Sequence, residues 1–243
     1  MWLYRLIFME IQNAARNCRG DAAGSPFCNL SDPLLDRVRS VTCHAVYPSS
    51  TRLFTEGQQP RGIFVLCMGQ AKLSAFSRGG KAIITRFAQA GDVLGLSAVV
   101  SKRPYGATAE MMVDGQADFI PQPSLLQLMT DHTEFAVVVA ELLSASYFPL
   151  HDALRCLGLA THPAERLAKL LLAWTSGVSP DTDTGDQAIR LPLTHEEIGQ
   201  TIGATRETVS RLFCELRRKR LVRSEGSELA ITNRPELEQI VQF

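Results

Sequence analysis

Short apolar segments alternate with glycines over residues 45–120. Four of these glycines recur at intervals of 12, 11 and 11 residues: Gly57, Gly69, Gly80 and Gly91. The segments between them are rich in β-branched and aromatic residues: GIFVLCM (62–68), AKLSAF (71–76) and AIITRF (82–87). Short strands at this spacing, separated by turn signals, are typical of a sandwich or barrel. Because glycine supplies the positive φ angles that tight hairpins require, the pattern predicts an antiparallel β-roll.

After Pro121 and Pro123 the residues become helix formers, from Ser124 to about Leu159. Apolar positions in this stretch are separated by alternating steps of four and three: Ala136, Ala140, Leu143, Tyr147, Leu150, Leu154 and Leu157. A heptad pattern of this kind is typical of a helix that packs along a partner helix. It favours a parallel homodimer, in which the last five of these residues form the dimer seam. Packing of the seam on the β-roll of the same chain is the alternative.

Prolines mark two further features of the helical region. Pro149 lies inside the seam, where it removes one backbone hydrogen bond, so we expect a kink near Ala145 that is either a hinge or a tolerated bend. Pro163 opens a second helix, PAERLAKLLLAW, because proline suits the first helical position. That helix is expected to end at Gly177, and AIRLPL (188–193) is expected to form a short strand.

The segment LTHEEIGQTIGATRETVSRLFCELRRKRLVR begins at Leu193 and predicts two helices joined by a short turn. Thr194 and Glu197 have the spacing of a capping box, so the first helix should begin there. Gly203 ends that helix. The second helix begins at Arg206 after a turn of only three residues, and Thr205 can cap it. The second helix has a buried stripe of four apolar residues: Val209, Leu212, Phe213 and Leu216. Two helices joined this tightly form a helix-turn-helix.

The start of the second helix presents side chains that suit the reading of DNA bases. They lie outside the apolar stripe and comprise Arg206, Glu207, Ser210 and Arg211. Arg can bond O6 and N7 of guanine and Glu can accept from cytosine, each good pair discriminating by ~1–3 kcal/mol. A basic run follows that suits DNA phosphates: Arg217, Arg218 and Lys219. The alternative is a solvated helix whose charges do nothing specific. Downstream, Gly226 between two apolar runs predicts the hairpin of a winged helix.

The charge balance at first argues against DNA binding. The chain has 25 Lys+Arg and 25 Asp+Glu, hence a formal net charge of zero. However, residues 206–223 contain seven Arg or Lys and two Glu, a local charge of +5, which acidic residues on either side offset. We therefore expect modest non-specific affinity, with selectivity from base contacts and from two half-sites bound together.

Composition excludes several other classes of protein. With 45% hydrophobic and 21% charged residues, the chain can form real cores and is not disordered. The N-terminal MWLYRLIFM is too short to span a bilayer, and no cleavage site follows, so we expect neither a membrane segment nor a signal peptide. Six scattered cysteines without a C-x-x-C pair favour a reducing, cytoplasmic setting. Residues 45–120 contain no histidine, which argues against a metal-dependent enzyme built on the roll.

A β-roll, a long helix and a winged helix-turn-helix in this order resemble the CRP/FNR family of bacterial transcription regulators. The resemblance covers about residues 45–235 and is sharpest in THEEIGQTIGATRETVSRLF. It implies an α+β chain of four parts: an N-terminal extension (1–28), a β-roll sensor domain (29–132), a dimerisation helix (133–160) and a winged helix-turn-helix domain (161–243). The implied partners are double-stranded DNA, a second copy of the chain, RNA polymerase and a small effector.

The resemblance also assigns roles to individual residues. Arg206, Glu207 and Arg211 would contact bases, with Ser210 matching the E-x-x-S-R form of the FNR branch. Thr205 and Thr208 match hydroxyls that contact phosphates in the family. The combination implies a palindrome with TGTGA-like half-sites about two helical turns apart.

The sensor domain departs from the branch of the family that binds cyclic nucleotides. In that branch a Glu directly after a glycine holds the ribose, and an Arg-Ser pair about ten residues later holds the phosphate. Leu96 stands at the first position and Gly106-Ala107 near the second; Lys102 and Arg103 are expected as solvated charges at a hairpin tip. Since a buried phosphate without an Arg partner is costly, we do not expect tight binding of cyclic AMP. The candidate effector pocket comprises Gly95, Leu96, Ser97, Ala107 and Thr108.

Redox and gas sensing are also disfavoured. The oxygen-sensing branch binds an iron–sulfur cluster through closely spaced N-terminal cysteines, whereas Cys18, Cys28 and Cys43 lie ten and fifteen residues apart. Relatives that bind haem use a His or a terminal amine; His44 is the only histidine near the start of the roll, and a lone histidine is more often structural. We thus predict no cofactor. Either an unidentified small molecule acts through the roll and the long helix, or the regulator is ligand-independent and the roll is a dimer scaffold.

Overall fold

The computed structural model describes residues 26–159, 162–174, 187–190, 193–225 and 228–241, and the chain divides after Leu150 into two compact units. The strands of the first unit are β1 (Cys43–Tyr47), β2 (Arg52–Phe54), β3 (Gly62–Met68), β4 (Gln70–Phe76), β5 (Ala82–Gln89), β6 (Val93–Leu94), β7 (Thr108–Met111) and β8 (Gly115–Pro121). Its helices are α1 (Asp32–Ser40), α2 (Leu96–Ser101), α3 (Gln122–Asp131) and α4 (Thr133–Leu159), of which α4 continues into the second unit.

The strands form two antiparallel sheets, with strand orders β1-β8-β3-β6 and β2-β7-β4-β5. The predicted β-roll is confirmed. The glycines that punctuate it adopt the predicted positive φ: Gly57, Gly69, Gly80, Gly91 and Gly95. The domain limits taken from the sequence stay predictions.

Strand β3 contributes to both apolar clusters of the roll because successive side chains in a strand point to opposite faces. Ile63 and Val65 pack with residues of α1, α3 and α4. Phe64 and Leu66 pack between the sheets, together with Tyr105 and other aromatic and aliphatic residues. The core of the first unit therefore has two layers that share one central strand.

The prediction of a hairpin tip at Lys102 and Arg103 is wrong. Gly95, with φ +81°, precedes the short helix α2, and Lys102 ends that helix in the left-handed conformation. The helix forms because Leu96 and Val99 are both buried on one side of it. Lys102 and Arg103 are nevertheless exposed, as expected of solvated charges.

The helical region begins at Gln122 and is interrupted at His132, which has extended backbone angles, so it forms the two helices α3 and α4. The helical residues of α4 continue through Pro149. The kink near Ala145 stays a prediction.

Two stripes of α4 have different surroundings. Phe135 and Val139 are buried against the roll, and Glu134 accepts hydrogen bonds from the backbone N–H and hydroxyl of Ser31 at 2.7 and 2.8 Å. Of the predicted seam, Leu143 is half-buried against the same core and Tyr147 is 61% exposed. The side chains of Leu150, Leu154 and Leu157 lie outside the described residues.

The second unit contains α5 (Pro163–Trp174), β9 (Gln187–Arg190), α6 (His195–Ile202), α7 (Arg206–Arg218), β10 (Val222–Glu225), β11 (Glu228–Ile231) and α8 (Arg234–Gln239). Its strands form an antiparallel sheet in the order β10-β11-β9. The predicted helix-turn-helix, short strand and wing hairpin are confirmed. Gly177 and Gly226 lie outside the described residues.

Candidate nucleic-acid interface

The first helix of the helix-turn-helix begins with the predicted capping box. The Thr194 hydroxyl accepts from the backbone N–H of Glu197 at 3.2 Å, and the Glu197 carboxylate accepts from the backbone N–H of Thr194 at 2.9 Å. At its other end Gly203 adopts φ +66°, which lets the chain turn within three residues. Local sequence thus fixes both ends of α6.

Two residues that support the turn were not predicted from the sequence. A Cβ on Gly199 would lie 2.7 Å from the backbone oxygen of Ala204, so only glycine allows α6 to approach the turn this closely. Arg166, on α5, donates from Nε to the carbonyl oxygen of Ile202 at 2.6 Å and satisfies one of the last carbonyls of α6. The sequence signal available for Gly199 was a glycine inside a predicted helix. The contact of Arg166 depends on tertiary packing and has no such signal.

The recognition helix α7 separates buried from exposed residues as the sequence predicts. Its apolar stripe is buried: Val209, Leu212, Phe213 and Leu216. Arg206, Glu207 and Arg211 are exposed, whereas Ser210 is half-buried. The N-terminal half of α7 therefore presents two cations and one carboxylate to solvent, beside a partly enclosed hydroxyl.

Glu207 is held by its neighbours rather than projecting without contacts. Its pKa is lowered because its own backbone N–H and the Thr205 hydroxyl donate hydrogen bonds to the carboxylate, with a further contribution from Arg206. The Thr205 hydroxyl also accepts from the backbone N–H of Thr208 at 3.3 Å and lies 3.1 Å from the Thr208 hydroxyl. Thr205 therefore caps α7 and favours the ionised form of Glu207, in addition to the phosphate contact predicted for it and for Thr208.

The basic end of α7 is not uniform. Arg217 folds back on its own helix, where it donates from Nε to the Phe213 carbonyl at 3.3 Å and from Nη2 to Cys214 Sγ at 3.5 Å. Arg218 and Lys219 are exposed at the end of the helix. Of the three predicted phosphate contacts, these two have the more open position.

His195, the first residue of α6, links the two helices and was not among the predicted site residues. Its Nδ1 lies 3.0 Å from the Ser210 hydroxyl, and its ring stacks on Phe213 with centroids 4.9 Å apart. Its pKa is lowered, mainly by burial and further by Arg217 and Arg206. The enclosed hydroxyl of the candidate base-contacting set is thus held by a neutral imidazole.

In the first unit, the five residues of the candidate effector pocket are largely committed to protein contacts. Leu96 is part of the apolar core, and Thr108 is 5% exposed with its hydroxyl accepting from the backbone N–H of Glu56 at 3.0 Å. Ser97 is exposed and Ala107 is half-buried. Gly95 faces the Tyr105 ring, since a Cβ there would lie 2.7 Å from it.

Tyr105 itself fills the space beside these residues. Its ring stacks on Phe54 with centroids 4.1 Å apart, and its hydroxyl donates to the Gly62 carbonyl at 2.6 Å. The same hydroxyl accepts from the backbone N–H groups of Arg61 and Gly62 at 3.3 and 3.4 Å. Sequence reasoning did not find Tyr105, because its partners come from distant strands and loops.

The residues considered for redox or gas sensing have other surroundings. His44 Nδ1 donates to the Asp118 carboxylate at 2.6 Å across strands β1 and β8, and Cys28 and Cys43 are exposed. Among the residues that the structure describes, no group of three His, Cys, Asp or Glu side chains could hold a metal ion. Within those residues there is also no helix long and apolar enough to cross a membrane.

Two family models match the chain, one for each unit. The Crp-like helix-turn-helix domain matches residues 165–240, and the cyclic nucleotide-binding domain matches residues 44–132. Together with the winged helix-turn-helix geometry, these matches define a DNA-binding transcription regulator. The chain belongs to the CRP/FNR family.

Individual relatives agree with this assignment. The transcriptional regulatory protein btr of Bordetella pertussis is 26% identical over 179 residues, which are 74% of this chain and 73% of that protein. The CRP-like cAMP-activated global transcriptional regulator of Mycobacterium tuberculosis is 22% identical over 191 residues, 79% of this chain and 84% of that protein. A crp/fnr-family regulator from Eubacterium rectale has the same fold, with a TM-score of 0.74 at 19% identity over 91% of this chain and all of that one.

Proposed function

We propose that this regulator binds as a homodimer to a palindrome with TGTGA-like half-sites and contacts the bases with Arg206, Glu207, Ser210 and Arg211. The observation that carries the proposal is the N-terminal half of α7, where Arg206, Glu207 and Arg211 are exposed opposite a buried apolar stripe. Guanidinium groups suit guanine and an ionised carboxylate suits the amino group of cytosine. The lowered pKa of Glu207 keeps that acceptor ionised at neutral pH.

The surface of α4 supports the homodimer. Tyr147 is 61% exposed and Ala140 is exposed on a stripe adjacent to the one that packs on the roll. Apolar seams with heptad spacing pair with a second helix. Two recognition helices related by a two-fold axis would contact the two halves of a palindrome. Sedimentation of the wild type as a dimer and of Tyr147→Glu as a monomer tests this part.

An effector other than cyclic AMP would act through the roll. None of the five pocket residues is an arginine that could pair with the phosphate of a cyclic nucleotide. The Thr108 hydroxyl already accepts a hydrogen bond from the backbone N–H of Glu56. Titration calorimetry with cyclic AMP should show no heat of binding, and micromolar affinity would overturn this part. RNA polymerase is the expected partner of the DNA-bound dimer. The proposed function includes no enzymatic activity.

A ligand-independent regulator is the second candidate. Tyr105 favours it, because the ring occupies the space against Gly95 and the hydroxyl holds the Gly62 backbone. In this case the roll supports dimerisation without a bound molecule. Equal binding of the palindrome with and without a small-molecule extract of cells would support this candidate over the first.

The proposal is tested by comparing two substitutions on matched DNA duplexes. Fluorescence anisotropy on the TGTGA palindrome, on single-base variants of it and on random DNA gives a specificity ratio for each protein. Glu207→Ala should lose discrimination at one base pair per half-site, by ~1–3 kcal/mol. Arg218→Ala should weaken binding to all sequences alike and reduce the salt dependence. Equal losses on specific and random DNA for both variants would contradict the assigned roles.

A further inference from the structure

His195 occupies a place where one side chain contacts both helices of the helix-turn-helix. It begins α6, and its Nδ1 lies 3.0 Å from Ser210 Oγ on α7. The ring planes of His195 and Phe213 are only 5° apart, with centroids separated by 4.9 Å. The stack fixes the ring plane, and the hydrogen bond fixes the side chain of Ser210. A serine hydroxyl otherwise rotates and can donate or accept in several directions.

We propose that His195 is a positioning residue that sets the base preference of Ser210 by holding its hydroxyl. The inference rests on the proposed function, in which Ser210 faces a base. In the neutral tautomer that carries its proton on Nε2, His195 Nδ1 accepts from the Ser210 hydroxyl. The serine oxygen then has only lone pairs to offer, so Ser210 would accept from a base amino group. Adenine N6 and cytosine N4 present such donors in the major groove.

The charged groups around His195 determine when the imidazole is neutral. Arg206 and Arg217 face it from α7 and, with burial, lower its pKa. Glu196 is exposed on its own helix, and Glu197 is engaged in the capping box. Arg166, from α5, bonds the carbonyl at the opposite end of α6. At neutral pH the imidazole is therefore uncharged, and it gains a proton only at more acidic pH.

Protonation would reverse the polarity of Ser210. Both nitrogens of an imidazolium are donors, so Nδ1 would donate to the serine oxygen. The hydroxyl hydrogen would then be directed away from His195 and would favour a base acceptor, such as thymine O4 or guanine O6. Base preference at this one position should consequently depend on pH, while preference at the position of Glu207 should not, because its carboxylate stays ionised over the same range.

The test measures affinity of the full-length protein for palindromes that carry each of the four base pairs at the position under Ser210. His195→Phe keeps a ring to stack on Phe213 and removes the hydrogen bond. His195→Asn removes the stack and keeps a hydrogen-bonding group near the position of Nδ1. We expect His195→Phe to lose roughly two- to tenfold of the discrimination per half-site, as expected for one hydrogen bond. Ser210→Ala should lose the same amount, and the double variant no more.

The matched variant and a pH series separate positioning from structural support. His195→Asn should retain the discrimination that His195→Phe loses. If the ring had only a structural role, Phe would replace it better than Asn, and His195→Phe would retain more discrimination than His195→Asn. For the wild type, the preferred base pair should change as the pH is lowered from 7.5 through the range in which His195 of the folded protein gains its proton, and this change should be absent in His195→Phe and Ser210→Ala. Single-base discrimination at the Glu207 position should stay constant in all of these proteins.

Three results would overturn the inference. Full discrimination in His195→Phe would show that the hydrogen bond is not used. Stronger binding to specific and random DNA alike at low pH would identify His195 as a phosphate contact instead. A wild-type protein that does not distinguish the palindrome from random DNA would reject the proposed function, and this inference with it, whereas the first two results leave the proposed function intact.

Discussion

At the candidate effector site the Thr108 hydroxyl is buried and bonded to the Glu56 backbone, whereas at the start of α7 the side chains of Arg206 and Arg211 are exposed. A buried polar group must be satisfied within the protein, while an exposed one can exchange water for a ligand. The hydroxyl of Thr108 therefore stabilises the fold, whereas the side chains of Arg206 and Arg211 are available for binding. Substitutions in the two regions should therefore affect different measurements.

Tyr105→Ala should give the largest effect, and it should be an effect on stability alone. Loss of a buried aromatic ring leaves a cavity and costs ~3–5 kcal/mol in the free energy of unfolding. Denaturant unfolding measures this loss. Specificity ratios on the palindrome should stay at the wild-type value at temperatures where the variant is folded.

Tyr105→Phe is the matched control for the ring. It keeps the stack on Phe54 but leaves the Gly62 carbonyl and two backbone N–H groups without the hydroxyl, which costs ~1–3 kcal/mol. If Tyr105→Ala lowered base discrimination as strongly as Glu207→Ala does, the division of roles between the two regions would be wrong.

Gly199→Ala should affect both stability and binding, because it lies beneath the binding surface. The new Cβ would lie 2.7 Å from the Ala204 oxygen, so the turn before α7 must shift. Overpacking of this kind costs ~1–3 kcal/mol, which the better helix propensity of alanine reduces. Calorimetry measures the unfolding, and anisotropy should show weaker specific binding.

Gly106→Ala is the control for Gly199→Ala. A Cβ at Gly106 meets nothing within 4 Å, so this variant should unfold at the wild-type temperature and bind DNA unchanged. Wild-type behaviour of Gly199→Ala would mean that the turn tolerates the displacement.

Thr205→Ala should have a smaller effect, confined to the start of α7. Loss of an N-cap side chain costs ~1 kcal/mol. The pKa of Glu207 should also rise toward its usual range, because one of the hydrogen bonds that lowers it is removed. Carboxyl carbon chemical shifts measured during a pH titration report this change. Thr205→Ser keeps the hydroxyl and should retain both properties, and an unchanged titration in Thr205→Ala would refute the contact.

The pH dependence that His195 contributes to stability should be the smallest effect. Its folded pKa lies below the ordinary value of about 6.5, so the unfolded chain binds the proton more readily. The contribution of His195 to the free energy of unfolding is complete above the ordinary pKa of about 6.5, and it decreases as the pH falls toward the pKa of the folded state. Solvent screens this half-exposed group, which limits the size of the effect. The unfolding midpoint between pH 7.5 and 5.5 should fall less in His195→Asn than in the wild type.

Features set by neighbouring residues could be predicted from the sequence. The capping box at Thr194, the cap at Thr205 and the apolar stripe of α7 depend on spacings of three and four residues, and all are present. The strands of the roll follow in the same way from apolar segments between glycines. The error at Lys102 arose because the six residues after Gly95, LSAVVS, are compatible with either a hairpin arm or a helical turn. Burial of Leu96 and Val99 favours the helix.

Features set by distant contacts could not be predicted. The sequence separates Tyr105 from Gly62 by 43 residues and Arg166 from Ile202 by 36. No local pattern indicates that these pairs meet. His195 and Ser210 are 15 residues apart and lie on different helices, so no spacing in the sequence links them either. The candidate base-contacting residues were predicted from the sequence, whereas the contacts that orient Glu207 and Ser210 required the structure.

The contact between Thr205 and Glu207 affects the entropy of binding. A free glutamate side chain samples many rotamers, and ordering such a side chain at an interface costs about 0.5–1.5 kcal/mol. Under the proposed function, the hydrogen bonds that lower the pKa of Glu207 would leave its carboxylate less freedom to lose when it meets a base, so discrimination by Glu207 should be less opposed by entropy than discrimination by Arg211.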